Sequence, residues 1–131
     1  LLTRPFTIEG PVDRGAQMGR RLGFPTANLH LGEYRRPAYG VYAIRARLPD
    51  SRTVDGVANL GIRPMFDPPI ELLEAHLFDF AGDLYDRTIA VELIDFLRPE
   101  WSLPDLDALR RQIAADCEAA RSRLAAAGAA L

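Results

Sequence analysis

The fold is decided by the stretch Tyr42-Ala43-Ile44-Arg45-Ala46-Arg47-Leu48. Its even positions are apolar and two of its three odd positions are arginine, which is typical of a strand with one buried and one solvated face. A turn sequence, Pro49-Asp50-Ser51, follows, and residues 53–60 then predict a returning strand. The two strands therefore predict an antiparallel hairpin.

Four further segments predict strands, at residues 6–9, 26–31, 72–80 and 88–97. The last of these carries apolar residues on both faces, so we expect it to be covered on both sides. One face is predicted to hold Ile89, Val91, Leu93 and Leu97, and the other Ala90, Ile94 and Phe96. Six short strands imply an antiparallel barrel that is closed or nearly closed, because closure removes exposed edges.

A helix of about 20 residues is predicted after the strands. Its apolar stripe is formed by Leu106, Leu109, Ile113, Cys117, Ala120 and Leu124. Either Ser102 or Asp105 could cap its start, and Gly128 is expected to mark its end. We expect one domain over residues 1–131, with the barrel at about residues 5–98 and the helix at about residues 104–127.

Length and composition agree with a single core. The chain has 131 residues, 48% of them apolar, which is enough for one core and too little for two ordinary domains. No apolar run approaches the roughly 18 residues of a membrane span and no signal peptide is visible, so we expect a cytoplasmic protein without membrane partners. The single cysteine, Cys117, is expected to act as a small apolar helix residue.

Charge is distributed unevenly along the chain. Residues 1–65 carry ten arginines and five acids, whereas residues 66–131 carry six arginines and thirteen acids. The sequence contains no lysine, which excludes the Walker A motif and the strand lysine of protein kinases. A phosphate-transferring domain of this sequence would therefore use a metal ion, backbone amides and arginine. The total charge gives no sign of a nucleic-acid-binding face.

Thr26 and Asn28 are candidate metal ligands. They lie two residues apart in a predicted strand, so their hydroxyl and amide oxygens project from the same face. Oxygen ligands of this kind suit Mg²⁺. From the pattern alone, such residues are more often solvent-facing strand residues than metal ligands.

The preceding loop is a candidate phosphate site. Glycine allows the positive φ values with which backbone N–H groups surround a phosphate. An ordinary flexible loop with solvated arginines is the alternative. The residues concerned are Gly15, Gly19, Arg20, Arg21 and Gly23.

The run Gly23-Phe24-Pro25-Thr26-Ala27-Asn28 resembles the signature of the riboflavin kinase family. Each matching segment is weak alone, but the ordered set is specific. In the family's order, the chain also contains Tyr39-Gly40-Val41-Tyr42-Ala43, Gly56-Val57-Ala58-Asn59-Leu60-Gly61-Ile62-Arg63-Pro64, Leu73-Glu74-Ala75-His76-Leu77, Asp83-Leu84-Tyr85 and Leu97-Arg98-Pro99-Glu100.

The resemblance implies a six-stranded antiparallel Greek-key barrel with the helix packed outside. It implies transfer of the γ-phosphate of ATP to the 5′-hydroxyl of riboflavin, giving FMN and ADP. Thr26 and Asn28 would contact Mg²⁺ and phosphate, and Glu74 would be the general base, although a lone strand carboxylate is usually solvated. In bacteria the domain commonly follows an FMN adenylyltransferase domain, and the start at Leu1 rather than Met is compatible with that origin.

Four residues are candidates for the flavin side, namely Asn59, Arg98, Trp101 and Leu103. Asn59 could instead close a turn, and Trp101 could anchor the helix to the barrel. His76 shares the strand face of Glu74, and a structural role is expected for it.

Two other classes of protein compete with this interpretation. A small barrel that binds oligonucleotides would need exposed aromatic residues beside basic ones. The predicted solvent-facing side of the strand at residues 42–48 instead carries Arg45 and Arg47 without aromatic neighbours. A flavin-binding module without catalysis is the other alternative, and the joint presence of Thr26, Asn28 and Glu74 argues against it.

Overall fold

A computed structural model describes residues 6–12, 26–30, 38–63, 69–80, 84–101 and 103–129. These residues form six strands and one helix. The elements are β1 Phe6–Pro11, β2 Ala27–His30, β3 Gly40–Arg47, β4 Thr53–Arg63, β5 Ile70–Leu77, β6 Thr88–Arg98 and α1 Leu106–Ala129. No helix in these ranges has the length and apolar character needed to cross a membrane.

The six strands form one antiparallel sheet in the order β1-β6-β3-β4-β5-β2. The two edge strands, β1 and β2, contact each other, so the sheet is nearly closed. The six strands confirm the nearly closed antiparallel barrel that alternation predicted, and the architecture is the mainly β, six-stranded Greek-key barrel with an outer C-terminal helix that the family resemblance implied. The strand order depends on pairing between distant segments, which alternation within a strand does not contain.

The β3–β4 hairpin is confirmed. Its register runs from Arg47 opposite Thr53 to Gly40 opposite Leu60. The backbone N–H of Leu48 donates to the carbonyl oxygen of Arg52 at 2.8 Å and closes the turn. β4 is longer than predicted, since it continues to Arg63 instead of ending at residue 60. Residues 61–63 therefore belong to the strand.

The barrel interior is filled by the alternating apolar residues. Each strand contributes at least one side chain with no solvent exposure, which excludes water from the interior and supplies the main hydrophobic stabilisation. These residues are Ile8, Leu29, Ile44, Leu60, Leu73 and Val91.

The outer face of β3 is solvated only at Arg47, whereas the sequence predicted a solvated face along the whole strand. Ala43 is fully buried there, in a second apolar cluster shared with Ala120 and Leu124 of α1. Arg45 is half-buried and donates from Nη2 to the carbonyl oxygen of Leu124 at 3.1 Å, while its Nε contacts Asp55 at 3.2 Å. Packing of the helix over this face accounts for the error.

Two irregularities in β6 change which side chains face the interior. The pairing of β6 with β3 skips Ile94 and Leu97, as expected for β-bulges. Leu97 consequently packs against the helix-side cluster, whereas it was predicted on the face of Leu93. Phe96 is moved to the other face, and its ring meets the Tyr42 ring edge-on at a centroid distance of 5.2 Å.

The helix begins at Leu106 and is capped by Asp105. The Asp105 Oδ1 accepts a hydrogen bond from the backbone N–H of Ala108 at 2.8 Å, which satisfies one of the four N–H groups left open at a helix start. Leu106 is 57% exposed and does not belong to the buried stripe predicted for it. Burial and the neighbouring Asp116 raise the pKa of the Cys117 thiol, consistent with its expected role as a small apolar residue.

We expect Asp105→Ala to lower the free energy of unfolding by about 1 kcal/mol, because it removes the capping hydrogen bond. Urea unfolding followed by circular dichroism would measure this change. Asp107→Ala is the matched control, since it removes an exposed first-turn carboxylate that contacts Arg110 at 3.1 Å. Equal losses in the two variants would show that helix-terminus charge, and not the cap, is responsible.

Candidate active site

The registers of two strand pairs bring three polar residues into one row. Asn28 on β2 is directly opposite Glu74 on β5, and Glu74 is in turn opposite Asn59 on β4. Directly opposed residues of antiparallel strands project to the same face, with Cβ atoms about 5 Å apart. The side chains of Asn28, Glu74 and Asn59 are therefore neighbours, and we call these three residues the polar row.

The polar row lies on the outer face of the barrel. The residues that follow or precede its members, such as Leu29, Leu73 and Leu60, belong to the interior core, and strand side chains alternate between faces. The same register continues from Asn59 to Val41 on β3 and from Val41 to Arg98 on β6. Five strands thus contribute one residue each to a line across the sheet.

Thr26 extends the row at its β2 end. The Thr26 hydroxyl donates to Oδ1 of Asn28 at 3.4 Å, and the Asn28 side chain is completely buried. Two oxygens at this separation can both reach one small cation, because Mg²⁺ binds its ligands at about 2.1 Å. The Glu74 carboxylate on the next strand adds negative charge beside them. The oxygen donors of Thr26, Asn28 and Glu74 therefore fit a hard divalent cation.

Asn59 lies in the interior of β4, since the strand continues past it to Arg63, and it does not close a turn. Its Oδ1 is buried and, among the residues that the structure describes, has no hydrogen-bond partner. Two residues further along the same face is Gly61, and the Glu100 carboxylate lies where a side chain at this position would begin. Glu100 therefore lies beside the β4 end of the polar row.

Arg98 is held by a second group of contacts. Its Nε and Nη2 donate to the two carboxylate oxygens of Asp116 at 2.9 and 2.7 Å, and Nε2 of Gln112 donates to the same carboxylate at 3.0 Å. The Arg98 guanidinium also lies 4.5 Å from the centroid of the Trp101 ring. The Trp101 side chain is 53% exposed, and Leu103 is half-buried.

Exposed apolar side chains gather at one end of the barrel. Ile62 is directly opposite Glu71, and the Tyr39 hydroxyl donates to the Glu71 carboxylate. Phe96 contacts the Gly40 position next to Tyr39. Tyr39, Ile62 and Phe96 are 37%, 47% and 41% exposed, and we call them the apolar end. Large exposed apolar groups of this kind mark binding surfaces when they are contiguous.

Some predicted site residues cannot be compared with the structure. Gly15, Gly19, Arg20, Arg21 and Gly23 lie outside the described residues. Glu100 and Asp116 were not among the candidate site residues, although Glu100 stands in a segment that resembles the family. A glutamate after a proline and an acid on an amphipathic helix are usually solvated, and only the packing of α1 and of residues 99–101 brings them to this face.

His76 has a structural environment. Its ring is T-shaped against Phe78 at a centroid distance of 5.9 Å, and it is opposite Val57 in the sheet. The basic face that the oligonucleotide-binding alternative requires is reduced to Arg47, because Arg45 is half-buried beneath the helix and contacts Asp55.

The fold and the polar row define the class of protein, which is a small Greek-key barrel with a polar site on its outer face. The sequence contains no lysine that could serve such a site. Residues 2–124 match the family model described as "Flavokinase: Riboflavin kinase". This chain therefore belongs to the riboflavin kinase family.

Curated relatives carry the name bifunctional riboflavin kinase/FMN adenylyltransferase. The chain is 42% identical over 122 residues to the protein from Haemophilus influenzae, and the match covers 93% of this chain and 40% of that protein. It is 46% identical over 123 residues to the protein from Pseudomonas fluorescens, covering 93% and 39%. The Escherichia coli K12 protein is 44% identical over 116 residues, covering 88% and 37%. The chain thus spans about two fifths of these relatives.

Two solved structures share the fold. A protein described as a macrolide-efflux protein from Streptococcus pneumoniae superposes with a TM-score of 0.80 at 33% identity, covering 89% of this chain and 38% of that one. Riboflavin kinase from Trypanosoma brucei superposes with a TM-score of 0.62 at 22% identity, covering 92% and 80%. The second likeness extends over most of both chains.

Proposed function

We propose that this chain transfers the γ-phosphate of ATP to the 5′-hydroxyl of riboflavin, giving FMN and ADP. Membership of the family and the names of the relatives support riboflavin phosphorylation. The observation that carries the mechanism is the register in which Glu74 is opposite Asn28 on one side and Asn59 on the other. A carboxylate is thereby held beside oxygens suited to a cation.

Glu74 is proposed as the general base. A primary alcohol is a poor nucleophile until its proton is accepted, and a positioned carboxylate contributes about 10²–10⁴-fold to the rate. The 5′-oxygen forms a bond to the γ-phosphorus as its proton passes to the Glu74 carboxylate, and the bond from that phosphorus to the bridging oxygen of ADP breaks. The half-buried position of Glu74 limits competition from water for this proton.

Thr26 and Asn28 are proposed to hold Mg²⁺ together with the phosphates of ATP. The bound ion supplies neutralisation of charge on the transferring phosphoryl group. Burial of Asn28 fixes its amide oxygen in one place, so the ATP phosphates are oriented at the β2 end of the polar row. Contacts of the ATP phosphates with Gly15, Gly19, Arg20, Arg21 and Gly23 stay predictions.

The flavin ring is proposed to lie toward Trp101 and Leu103. Flat apolar ligands favour sites with aromatic and aliphatic walls and a few polar contacts. The exposed Trp101 ring and the apolar end offer such walls. The guanidinium of Arg98 is engaged with Asp116, so its contribution to flavin binding is proposed to come through the stacked Trp101.

The relatives support a wider proposal. Their greater length and their names suggest that residues 1–131 are one kinase domain of a protein with a covalently linked N-terminal FMN adenylyltransferase domain. For this chain by itself we propose the kinase step only. The predicted cytoplasmic location and the absence of nucleic-acid partners stay predictions.

The direct test is incubation of the purified chain with riboflavin, ATP and Mg²⁺, followed by chromatography. FMN and ADP should form in equal amounts, and no FMN should form when EDTA is added. A second incubation with FMN and ATP should yield no FAD. Flavin fluorescence quenching without any FMN would instead favour the non-catalytic flavin-binding module.

Substitution of Thr26 tests the proposed Mg²⁺ site. We expect Thr26→Val to raise the Mg²⁺ concentration that gives half-maximal activity by about tenfold or more, since an oxygen contact with a charged group is worth about 1.5–3 kcal/mol. Thr26→Ser keeps the hydroxyl and should stay near wild type. Titration of Mg²⁺ at saturating ATP and riboflavin gives the comparison. Identical Mg²⁺ curves for the valine and serine variants would remove Thr26 from the proposed site.

A further inference from the structure

We infer that Asn59 is a specificity-determining residue whose Oδ1 accepts a hydrogen bond from a hydroxyl group of the ribityl chain of riboflavin. This inference rests on the proposed function and assigns the part of the substrate that crosses β4. The ligand class is a polyol chain, and the residue is expected to select for a hydroxyl at one carbon of that chain.

Among the described residues, the Asn59 side chain holds an unsatisfied acceptor. Its Oδ1 is buried and has no hydrogen-bond partner within the described part of the chain. Buried polar atoms are nearly always satisfied, so an exception calls for a specific explanation. The missing partner must be a donor, because a carboxamide oxygen can only accept.

The neighbours of Asn59 on the same face are carboxylates and an apolar residue. Glu74 is the cross-strand partner of Asn59, and the carboxylate of Glu100 lies over Gly61 on the same face. Ionised carboxylates are acceptors and cannot satisfy another acceptor. On the other side Asn59 is opposite Val41, which is apolar. None of these neighbours in the described part of the chain offers a donor to Oδ1, so we expect the donor to come from a bound molecule. A hydroxyl group can supply this donor, whereas a phosphate oxygen cannot.

The order of the strands places Asn59 on the far side of the base from the phosphate. The proposed phosphate contacts lie on β2, the proposed base on β5 and Asn59 on β4, and neighbouring strands are about 4.8 Å apart. A hydroxyl that reacts at Glu74 has the phosphate on its β2 side, so the rest of the acceptor extends to the β4 side. The hydroxyl-bearing carbons next to the reacting one then lie near Asn59. Beyond them the register leads to Val41 and Arg98, where the exposed Trp101 ring is located.

This assignment also explains why a polar residue is kept at an internal strand position. Replacement of an unsatisfied buried acceptor by an apolar group is expected to leave the ligand-free protein as stable as before, or to stabilise it. Valine in particular favours a strand position. Asn59→Val should therefore retain or raise the melting temperature while losing discrimination for the substrate, a combination that a purely structural role of Asn59 would not produce.

The test compares wild type and Asn59→Val on riboflavin and on its 2′-deoxy, 3′-deoxy and 4′-deoxy analogues. We expect wild type to prefer riboflavin over one of these analogues by about tenfold in kcat/KM, which corresponds to about 1.4 kcal/mol. In Asn59→Val that ratio should fall to about one, and the ratios for the other two analogues should not change. They serve as internal controls. Asn59→Ser, which keeps a shorter acceptor oxygen, is used in addition should the valine variant not fold.

Flavin fluorescence quenching in the absence of ATP provides a readout that needs no turnover. The same analogue should show weaker binding to wild type and no further weakening in Asn59→Val. The inference is overturned when wild type makes FMN yet all three ratios are the same in the variant, which would leave a solvent molecule as the partner of Oδ1. Absence of both FMN formation and flavin quenching in wild type would instead overturn the proposed function.

Discussion

Replacement of Glu74 by glutamine is expected to lower kcat for FMN formation by about two to four orders of magnitude. Glutamine has nearly the same shape, and its amide can still form hydrogen bonds, so the side chain should keep its position between Asn28 and Asn59. It cannot accept the proton of the 5′-hydroxyl, and this loss removes the contribution of a positioned base. The free energy of unfolding should change by less than about 0.5 kcal/mol.

The effect should fall on kcat more than on flavin binding. Glu74 acts on the proton that moves in the transition state, and interactions made only there change kcat and kcat/KM equally. Initial rates of FMN formation over a range of riboflavin concentrations separate the two constants. Flavin fluorescence quenching without ATP measures binding of riboflavin independently of turnover, and should give similar dissociation constants for wild type and Glu74→Gln.

Glu92→Gln is the matched control for this experiment. Glu92 is also a half-buried strand glutamate, but it lies on β6 opposite Thr7 and Arg45, away from the polar row. The kcat of Glu92→Gln should stay within about twofold of wild type, because substitutions away from the site have small effects. A Glu74→Gln variant with turnover close to that of Glu92→Gln would exclude Glu74 as the base.

The barrel interior was predictable from the sequence because the signal is local. Apolar residues at every second position indicated that Ile44, Ile89 and Val91 are buried, and each is fully buried. Prediction of the polar row also requires the strand pairing, because Asn28 and Glu74 are neighbours only through the long-range pairing of β2 with β5. Periodicity within one strand contains no information on the partner strand. For these residues the family resemblance, and not alternation, carried the prediction.

The errors have equally specific causes. Each β-bulge in β6 adds a residue to one strand and so reverses the faces of the residues that follow, which is why Leu97 packs under α1. Arg45 was expected in solvent, because an arginine in a strand gives no sign that a helix from the other end of the chain will cover it. Asp116 was not selected because a single acid on a helix resembles a solvated residue until its partner is known.

Asp116→Ala is expected to lower the free energy of unfolding by about 3 kcal/mol, the lower part of the range for breaking a buried ion pair. The side chains of Arg98 and Asp116 are only 12% and 9% exposed, and the two hydrogen bonds between them measure 2.9 and 2.7 Å. Removal of the carboxylate leaves a guanidinium with little access to water, and Gln112 loses its acceptor as well. For a chain of this size the melting temperature should fall by roughly 10 °C.

The cause of this loss can be separated from simple removal of side-chain volume. In Arg98→Met/Asp116→Leu both charges are replaced by apolar groups of similar size, and much of the stability should return, because the cost of an uncompensated buried charge disappears. Arg110→Ala breaks the exposed Asp107–Arg110 pair on the same helix and should cost less than about 0.5 kcal/mol. A double variant as unstable as Asp116→Ala would show that helix packing, and not charge, dominates.

The fluorescence of Trp101, the single tryptophan, reports on the freed guanidinium, since Arg98 lies 4.5 Å from its ring centroid. Its emission should change in Asp116→Ala and not in Arg110→Ala.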